Sequence, residues 1–475
     1  MGKASAVALV ADRLRETYAD ASPVPFWLDQ LGAPEPSAPL DAPTEAGLAI
    51  VGGGFTGLWA AIQAKEERPD RDVLLLERDT VAFGASGRNG GFCDASLTHG
   101  LPNGIDRFPD EIATIERLAA ESFRGIEETI ARFGIDCDWN REGEVLVARE
   151  PHEVEWMREG VELVRRFGQD AAFLDRGQVR AELDSPTYLA GMWKRSGCAM
   201  VDPARLAWGL RRAALDLGVR LHERTPVTGL AKTTTGVALD TPGGRVDARR
   251  VVLATNAFPP LVRSIRRYVV PVYDYVLMTE PLTADQLASI GWMRRQGFAD
   301  SANHFHYYRM SADDRILWGG YDAVYHWRNS VAPRLEQREA TFSRLAAHFF
   351  ETFPQLEGVR FSHRWGGVID TCSRFSVMFG TALDARVAYA VGYTGMGVAA
   401  TRFGARTALD LVDGRDTERT RLRLVRSKPV PFPPEPLRSV GIGLTTRALT
   451  KADRLAGRRG LWLRMLDAVG LGFDS

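Results

Sequence analysis

Cysteine is scarce in this chain: four residues in 475, namely Cys93, Cys137, Cys198 and Cys372. They are widely spaced, and no two form a C-x-x-C pair. That excludes a thiolate zinc cluster, and it fits a reducing compartment. Charge of one sign is also missing. Sixty basic side chains meet sixty acidic ones, so the formal net charge is zero. No basic field is left over for nucleic acid or for an acidic membrane face. No apolar run is long enough to cross a bilayer. The short apolar stretch near the N-terminus ends at Asp12 and Arg13. It is too short for a signal-peptide core. These absences predict a cytoplasmic protein with no nucleic-acid partner, no metal centre and no transmembrane segment.

What is present is ordinary globular material, 45% hydrophobic and 25% charged. The length suggests two or three domain-sized units, with a core large enough to need no staples. The most informative stretch is Leu48-Ala-Ile-Val-Gly-Gly-Gly-Phe-Thr-Gly57, followed by Leu74-Leu-Leu-Glu77. It reads as strand, glycine turn, helix and second strand. Gly52, Gly54 and Gly57 stand at G-x-G-x-x-G spacing, the pattern of a dinucleotide cradle. Gly52 allows the tight turn. Gly54 lets the backbone approach a pyrophosphate. Gly57 lets the helix lie close on the sheet. The helix then begins at Phe55 and Thr56, with free N–H groups and a partial positive charge for phosphate. Glu77, followed by Arg78, ends the second strand and can accept bonds from ribose hydroxyls. The bland alternative is a glycine-rich turn that binds nothing.

A second glycine cluster is Gly84-Ala-Ser-Gly-Arg-Asn-Gly-Gly91. Such a run cannot be the interior of a helix or strand. Ser86, Arg88 and Asn89, with the bare backbone of Gly90 and Gly91, suit a second phosphate or a polar ring edge. A flexible surface loop is the competing reading.

Downstream, apolar periodicity predicts helices over 111–133 and 153–167. Asp202-Pro203 reads as an N-cap followed by proline at the first helical position. A strand pair is expected over 225–231 and 237–240, then a buried strand at Val251–Ala254. Residues 266–330 are rich in aromatic side chains and alternate as antiparallel strands do. A helix is expected over 337–353, and another starting at Gly395-Met396-Gly397. Residues 1–45 read as an N-terminal arm with a helix candidate at 6–18. Arg447–Leu466 is basic and interleaved with apolar residues. It reads as a helix docked on the parent domain, with a membrane-surface role as the alternative.

The GGGFTG turn, LLLER, GASGRNGG, Val201-Asp-Pro-Ala-Arg-Leu206, Val251-Val-Leu-Ala-Thr-Asn256, Trp365-Gly-Gly367 and Gly392-Tyr-Thr-Gly-Met-Gly397 occur in one order. In that order they resemble the FAD-dependent D-amino-acid-oxidase-like superfamily, which includes glycine and sarcosine oxidases. The motif form is most similar to its gamma-glutamylputrescine oxidase branch. The resemblance implies an α/β fold: a Rossmann-like FAD-binding domain plus a substrate domain with a large mixed or antiparallel sheet. It divides the chain into a discontinuous FAD domain (46–98, 200–262, 365–420), a substrate domain (99–199, 263–364) and a C-terminal extension (421–475).

The resemblance further implies FAD, bound noncovalently, with backbone at Val227 near the adenine and Thr255 near the cofactor. The helix after Gly395, Met396 and Gly397 would point at the flavin's pyrimidine end. The implied reaction moves a hydride from an amine C–H to flavin N5. It gives an imine that hydrolyses to an aldehyde or keto acid and releases amine or ammonia. An amine substrate and O2 or another acceptor are the expected partners. Arg309 occupies a place similar to a carboxylate-gripping arginine; a structural ion pair with Asp313 or Asp314 is the alternative. Tyr307, His306 and Trp365 complete the candidate catalytic set. His304 and His306 lie two apart but lack a third ligand, so a pocket wall is preferred to a metal site. Two departures stand out. Trp318 aligns where sarcosine-oxidase-like members carry a lysine, and Cys372 is offset from the position where some relatives tether FAD. Competing readings are an amino-acid oxidase or dehydrogenase and a non-catalytic flavin-binding protein.

Overall fold

The computed structural model describes residues 12–468 and Leu471. The expected helix at 6–18 lies partly outside them; residues 12–16 are helical. The strand β1 (Thr44–Val51), the helix α1 (Phe55–Glu67) and the strand β2 (Val73–Leu76) form the first βαβ unit. β1 pairs in parallel with β2 on one side and with Gly244–Leu253 on the other. The parallel set extends to Arg220–His222 and Val387–Val391. Antiparallel strands complete an eight-stranded sheet. Alternation explains the unbroken apolar run of β1. Leu48 and Ile50 face a core shared with Leu58, Leu206 and Phe403. Ala49 and Val51 face the opposite core with Leu239 and Val246. Both faces are covered, so neither set of side chains meets water.

A nine-stranded second sheet is built around Val269–Thr279. It is mixed: Gly297–Asp300 runs parallel to Glu144–Ala148, and its other ladders are antiparallel. The α/β fold with a large mixed sheet is therefore present. Two of the expected domain limits differ from the observed packing. Phe361–Cys372 pairs with Val269–Thr279 along its whole length, so residues 365–372 belong to the second sheet and not to the nucleotide segment. The helix Ile112–Phe133 packs Ile115, Leu118 and Ile126 into the core of the first sheet's helices, although the resemblance places it in the 99–199 segment.

Local chemistry sets the element ends. Gly134 closes Ile112–Phe133 in the left-handed conformation at φ 56°. Asp202 caps Pro203–Asp216 by accepting the Arg205 N–H at 2.9 Å. In place of the strand expected over 225–231, the strand is Gly229–Lys232. The C-terminal helix expected over 447–466 is instead two helices, Leu437–Arg454 and Leu461–Ala468. They are separated by Ala456 and Gly457, both at positive φ. Among the described residues no helix is long and apolar enough to cross a membrane.

Candidate active site

The glycine turn has the geometry its spacing demands. Gly52 sits at φ 113°, and a Cβ there would run into the Ala254 carbonyl. A Cβ on Gly57 would run into the Gly52 carbonyl oxygen, so the helix can approach the strand only as glycine. Gly54 is the N-cap of α1, and Phe55 is the first helical residue. The side chains of Phe55 and Thr56 point into the protein: Phe55 is 3% exposed, and the Thr56 hydroxyl donates to Tyr393 at 3.0 Å. The N–H groups of Gly54, Thr56 and Gly57 have no acceptor among the described residues. They are free donors at a helix N-terminus, where an anion is stabilised. The Phe55 N–H is already taken by Ser86 Oγ at 2.9 Å. Ser86 thus caps the helix from the second glycine loop.

Glu77 is held from behind. Its carboxylate accepts the Gly53 and Asp79 N–H groups. Burial raises its pKa, against those two bonds. Arg78 is exposed and lies over the Phe258 ring at 4.9 Å. Val227 is partly buried beside the antiparallel strands, and its N–H has no acceptor among the described residues. The Thr255 carbonyl accepts the Phe258 N–H at 3.2 Å.

The GASGRNGG loop is a tied structure. Asn89 Nδ2 donates to the Ala85 and Ser86 carbonyls, and its Oδ1 accepts the Gly91 N–H. Arg88 does not offer the free cation expected of it. Its guanidinium donates to Glu336 at 2.6 Å and to the Phe83 carbonyl at 2.7 Å. Below the loop, Trp27 Nε1 donates to the Asn89 carbonyl and Trp365 Nε1 to the Arg88 carbonyl, each at 2.9 Å. The loop therefore rests on an indole on either side. Trp27 comes from the N-terminal arm.

The late turn faces the first. Gly392, Thr394 and Gly395 all have positive φ, and a Cβ on Gly395 would meet nothing within 4 Å. Met396 is the N-cap of Gly397–Val412, a helix that packs on α1. The Thr56–Tyr393 bond joins the two turns, so the starts of the two helices are held side by side. Asp370 clamps the late turn to the second sheet. Its carboxylate accepts the Gly392 and Tyr393 N–H groups. Burial pushes its pKa up to about 7.

The candidate catalytic set separates into different roles. Tyr307 points at the loop: its hydroxyl donates to Asp274 at 2.5 Å, and its ring meets Phe92 edge-on. Arg309 is 1% exposed and is spent inside the protein. It donates to Asp138 at 3.1 Å and to the Val201 and Met310 carbonyls. The structural ion pair is real, but its partner is Asp138; Asp313 pairs with Arg315 and Asp314 with Arg295. His306 is fully buried behind the sheet. It is bonded to His348 at 2.9 Å and stacked on Trp318 at 4.4 Å. Burial, then His348, lowers its pKa well below the ordinary value. Trp318 faces the same way, away from the loop, while its neighbour Gly319 faces Tyr307. Trp365 is buried beneath the loop. His304 bonds to Thr450 and the Tyr321 carbonyl. His306, Arg309 and Trp365 therefore shape the site from behind its surface.

Sequence reasoning missed Asp274, Asp370, Tyr393 and Trp27. Only their tertiary contacts mark them. It also missed Asp94, Glu144 and Cys198, whose polar atoms lie within 4.8 Å of one another. The protein's own ammonium fills that cluster: Lys194 Nζ contacts Glu144 and lies 3.6 Å from Asp94.

The glycine cradle, the free N–H groups and the open Gly395 turn fit a dinucleotide whose pyrophosphate lies at a helix N-terminus. Residues 48–411 match the family described as DAO, FAD dependent oxidoreductase. The chain is 33% identical to the gamma-glutamylputrescine oxidoreductase of Escherichia coli, over 80% of this chain and 87% of that one. It is 28% identical to a probable oxidoreductase of Haemophilus influenzae, over 80% and 85%. The fold superposes on glycine oxidase from Geobacillus kaustophilus with TM-score 0.66 at 21% identity, covering 81% of this chain and 99% of that one.

Proposed function

Because the chain belongs to the FAD-dependent oxidoreductases of the DAO family, we propose that it oxidises the carbon–nitrogen bond of an amine. The observation that carries this reading is the glycine cradle with its free N–H groups at Gly54, Thr56 and Gly57, tied by the Thr56–Tyr393 bond to the turn that opens Gly397–Val412. When bound, FAD supplies the acceptor for the hydride that leaves the substrate's α carbon. The chain's own groups bind and orient. The N–H groups of Gly54, Thr56 and Gly57 receive the pyrophosphate, Glu77 the ribose and the Val227 backbone the adenine. The helix after Met396 steadies negative charge at the flavin's far end. Cys372 supports noncovalent binding: it is buried behind the late turn, with its thiol donating to the Ser376 carbonyl.

The second sheet excludes water and favours the neutral amine by desolvation. The product is an imine, hydrolysed to an aldehyde or keto acid with release of amine or ammonia. O2 or another acceptor then takes up the electrons. The likeness to glycine oxidase keeps an amino-acid substrate as the second reading.

An anaerobic panel of amines and amino acids, read by flavin bleaching, tests both. The purified protein should be yellow and should bleach faster with an amine than with an amino acid. Gly54→Val should lose flavin, since a side chain there presses on Ser86 Oγ and the pyrophosphate path. A colourless protein that refuses FAD, or a flavin that no amine reduces, overturns the proposal.

A further inference from the structure

The neutrality of the whole chain conceals a local excess of positive charge. Between Leu437 and Ala468 seven cationic side chains meet two carboxylates, Asp453 and Asp467. Both carboxylates are already engaged: Asp453 accepts from Asn303, and Asp467 pairs with Arg459. Among the described residues no carboxylate pairs with Arg447, Lys451, Arg454, Arg458 or Arg464.

The same segment exposes apolar surface that a merely solvated helix does not need. Leu437, Val440, Leu444, Leu455, Leu461 and Met465 all face solvent, from 41% exposed at Leu444 to 81% at Leu461. Among the described residues, these are six of the thirteen large hydrophobic side chains that are exposed. Spacing puts cations and leucines on one face. Positions 437, 440, 444, 447, 451 and 454 follow steps of three and four along Leu437–Arg454, and all six are exposed. The stripe reads Leu-Val-Leu and then Arg-Lys-Arg. The other side is fastened to the body: Thr445 and Ala452 are buried there, and Asp453 reaches Asn303. Leu461–Ala468 packs on the longer helix, with Leu463 buried and Trp462 Nε1 donating to Thr445 at 3.0 Å. Docking on the parent domain uses one face of the longer helix and leaves the other outward.

Charge selects what covers that face. A second copy meeting it with the same face would set arginine against arginine. Nucleic acid would take the cations and leave the leucines in water. An anionic lipid surface takes both: its headgroups meet the guanidinium and ammonium groups, and the apolar side chains enter the boundary of the acyl chains. We propose that Leu437–Arg454 and Leu461–Ala468 form a docking surface for an anionic lipid bilayer, on which the protein lies without crossing it. The proposal does not depend on the amine-oxidising reading.

The test floats the purified full chain with vesicles of phosphatidylcholine alone or of equal parts phosphatidylcholine and phosphatidylglycerol. Partition onto the anionic vesicles should exceed that onto the neutral ones at least about tenfold, and should fall with added salt. Two multiple variants alter exposed side chains only. Arg447→Gln with Lys451→Gln and Arg454→Gln removes cations; Leu444→Ser with Leu461→Ser removes apolar contact. Each should lower partition onto the anionic vesicles at least about tenfold, with the melting temperature unchanged. No partition, equal partition onto both vesicles, or anionic binding that survives either variant overturns the proposal. Self-association without lipid binding, abolished by the serine variant, would assign the face to a second copy instead. If a variant does not fold, the wild-type comparison of the two vesicles decides alone.

Discussion

Arg309 illustrates at the residue scale how burial decides a role. Its guanidinium is 1% exposed, held by Asp138 and by the Val201 carbonyl. Burial lowers its pKa, and Asp138 opposes that most strongly. Removing one partner of a fully buried pair costs about 3–5 kcal/mol; here Asp138 is 30% exposed, so water screens what is left and the cost is smaller. Arg309→Ala should therefore lower the urea midpoint by a corresponding amount. Its effect on KM should be the same for a carboxylate-bearing amine and for a plain one. A KM rise confined to the carboxylate-bearing amine, with the midpoint unchanged, would restore the substrate role. The type and position of Arg309 were legible in the sequence. Its partner was not, because Asp138 lies 171 residues away.

At the scale of elements, the candidate site depends on how turns are fastened. Asp370 fastens the turn before Gly397–Val412 through two backbone N–H groups. Its ordinary value is 3.8, and in the fold it reaches about 7. Between those values the folded protein holds a proton that the unfolded chain has released. Stability therefore falls as pH rises through that interval. Asp274 and Asp300, each raised to about 6, act in the same direction. The melting temperature should be lower at about pH 8 than at about pH 5.5, and Asp370→Asn should reduce that difference. An Asn variant with an undiminished slope would show that another group sets it. The glycine turns were readable because their local backbone demands glycine. The Asp370 clamp was not, since it joins a strand of one sheet to a turn of the other.

Across the whole molecule, the C-terminal helices meet the rim of the second sheet. Glu435 accepts the Tyr325 hydroxyl, Asp453 accepts from Asn303, and Thr450 meets His304. None of these contacts reaches the glycine turns. A chain ending after residue 434 should keep its flavin-to-protein ratio. Its KM for amines should change, because residues 303–329 lose their outer packing. Loss of flavin on truncation would mean that the extension supports the cradle itself. The packing of Ile112–Phe133 belongs to the same scale. Its apolar face was visible in the sequence, but the sheet that face covers was not.

The amino-acid sequence by itself determined the βαβ cradle, the second glycine loop, the family and the mixed-sheet architecture. The first two rest on local backbone conformation and on periods of two and 3.6 residues, which are written along the chain; the family and the mixed sheet rest on the resemblance carried by the ordered motifs. Only the tertiary structure decided which polar groups are free. Arg88 and Arg309 are consumed by Glu336 and Asp138, while Asp274 accepts the Tyr307 hydroxyl. Pairing in the interior is settled by which strands become neighbours. Here that depends on contacts such as Tyr307 to Asp274, made across Gly319.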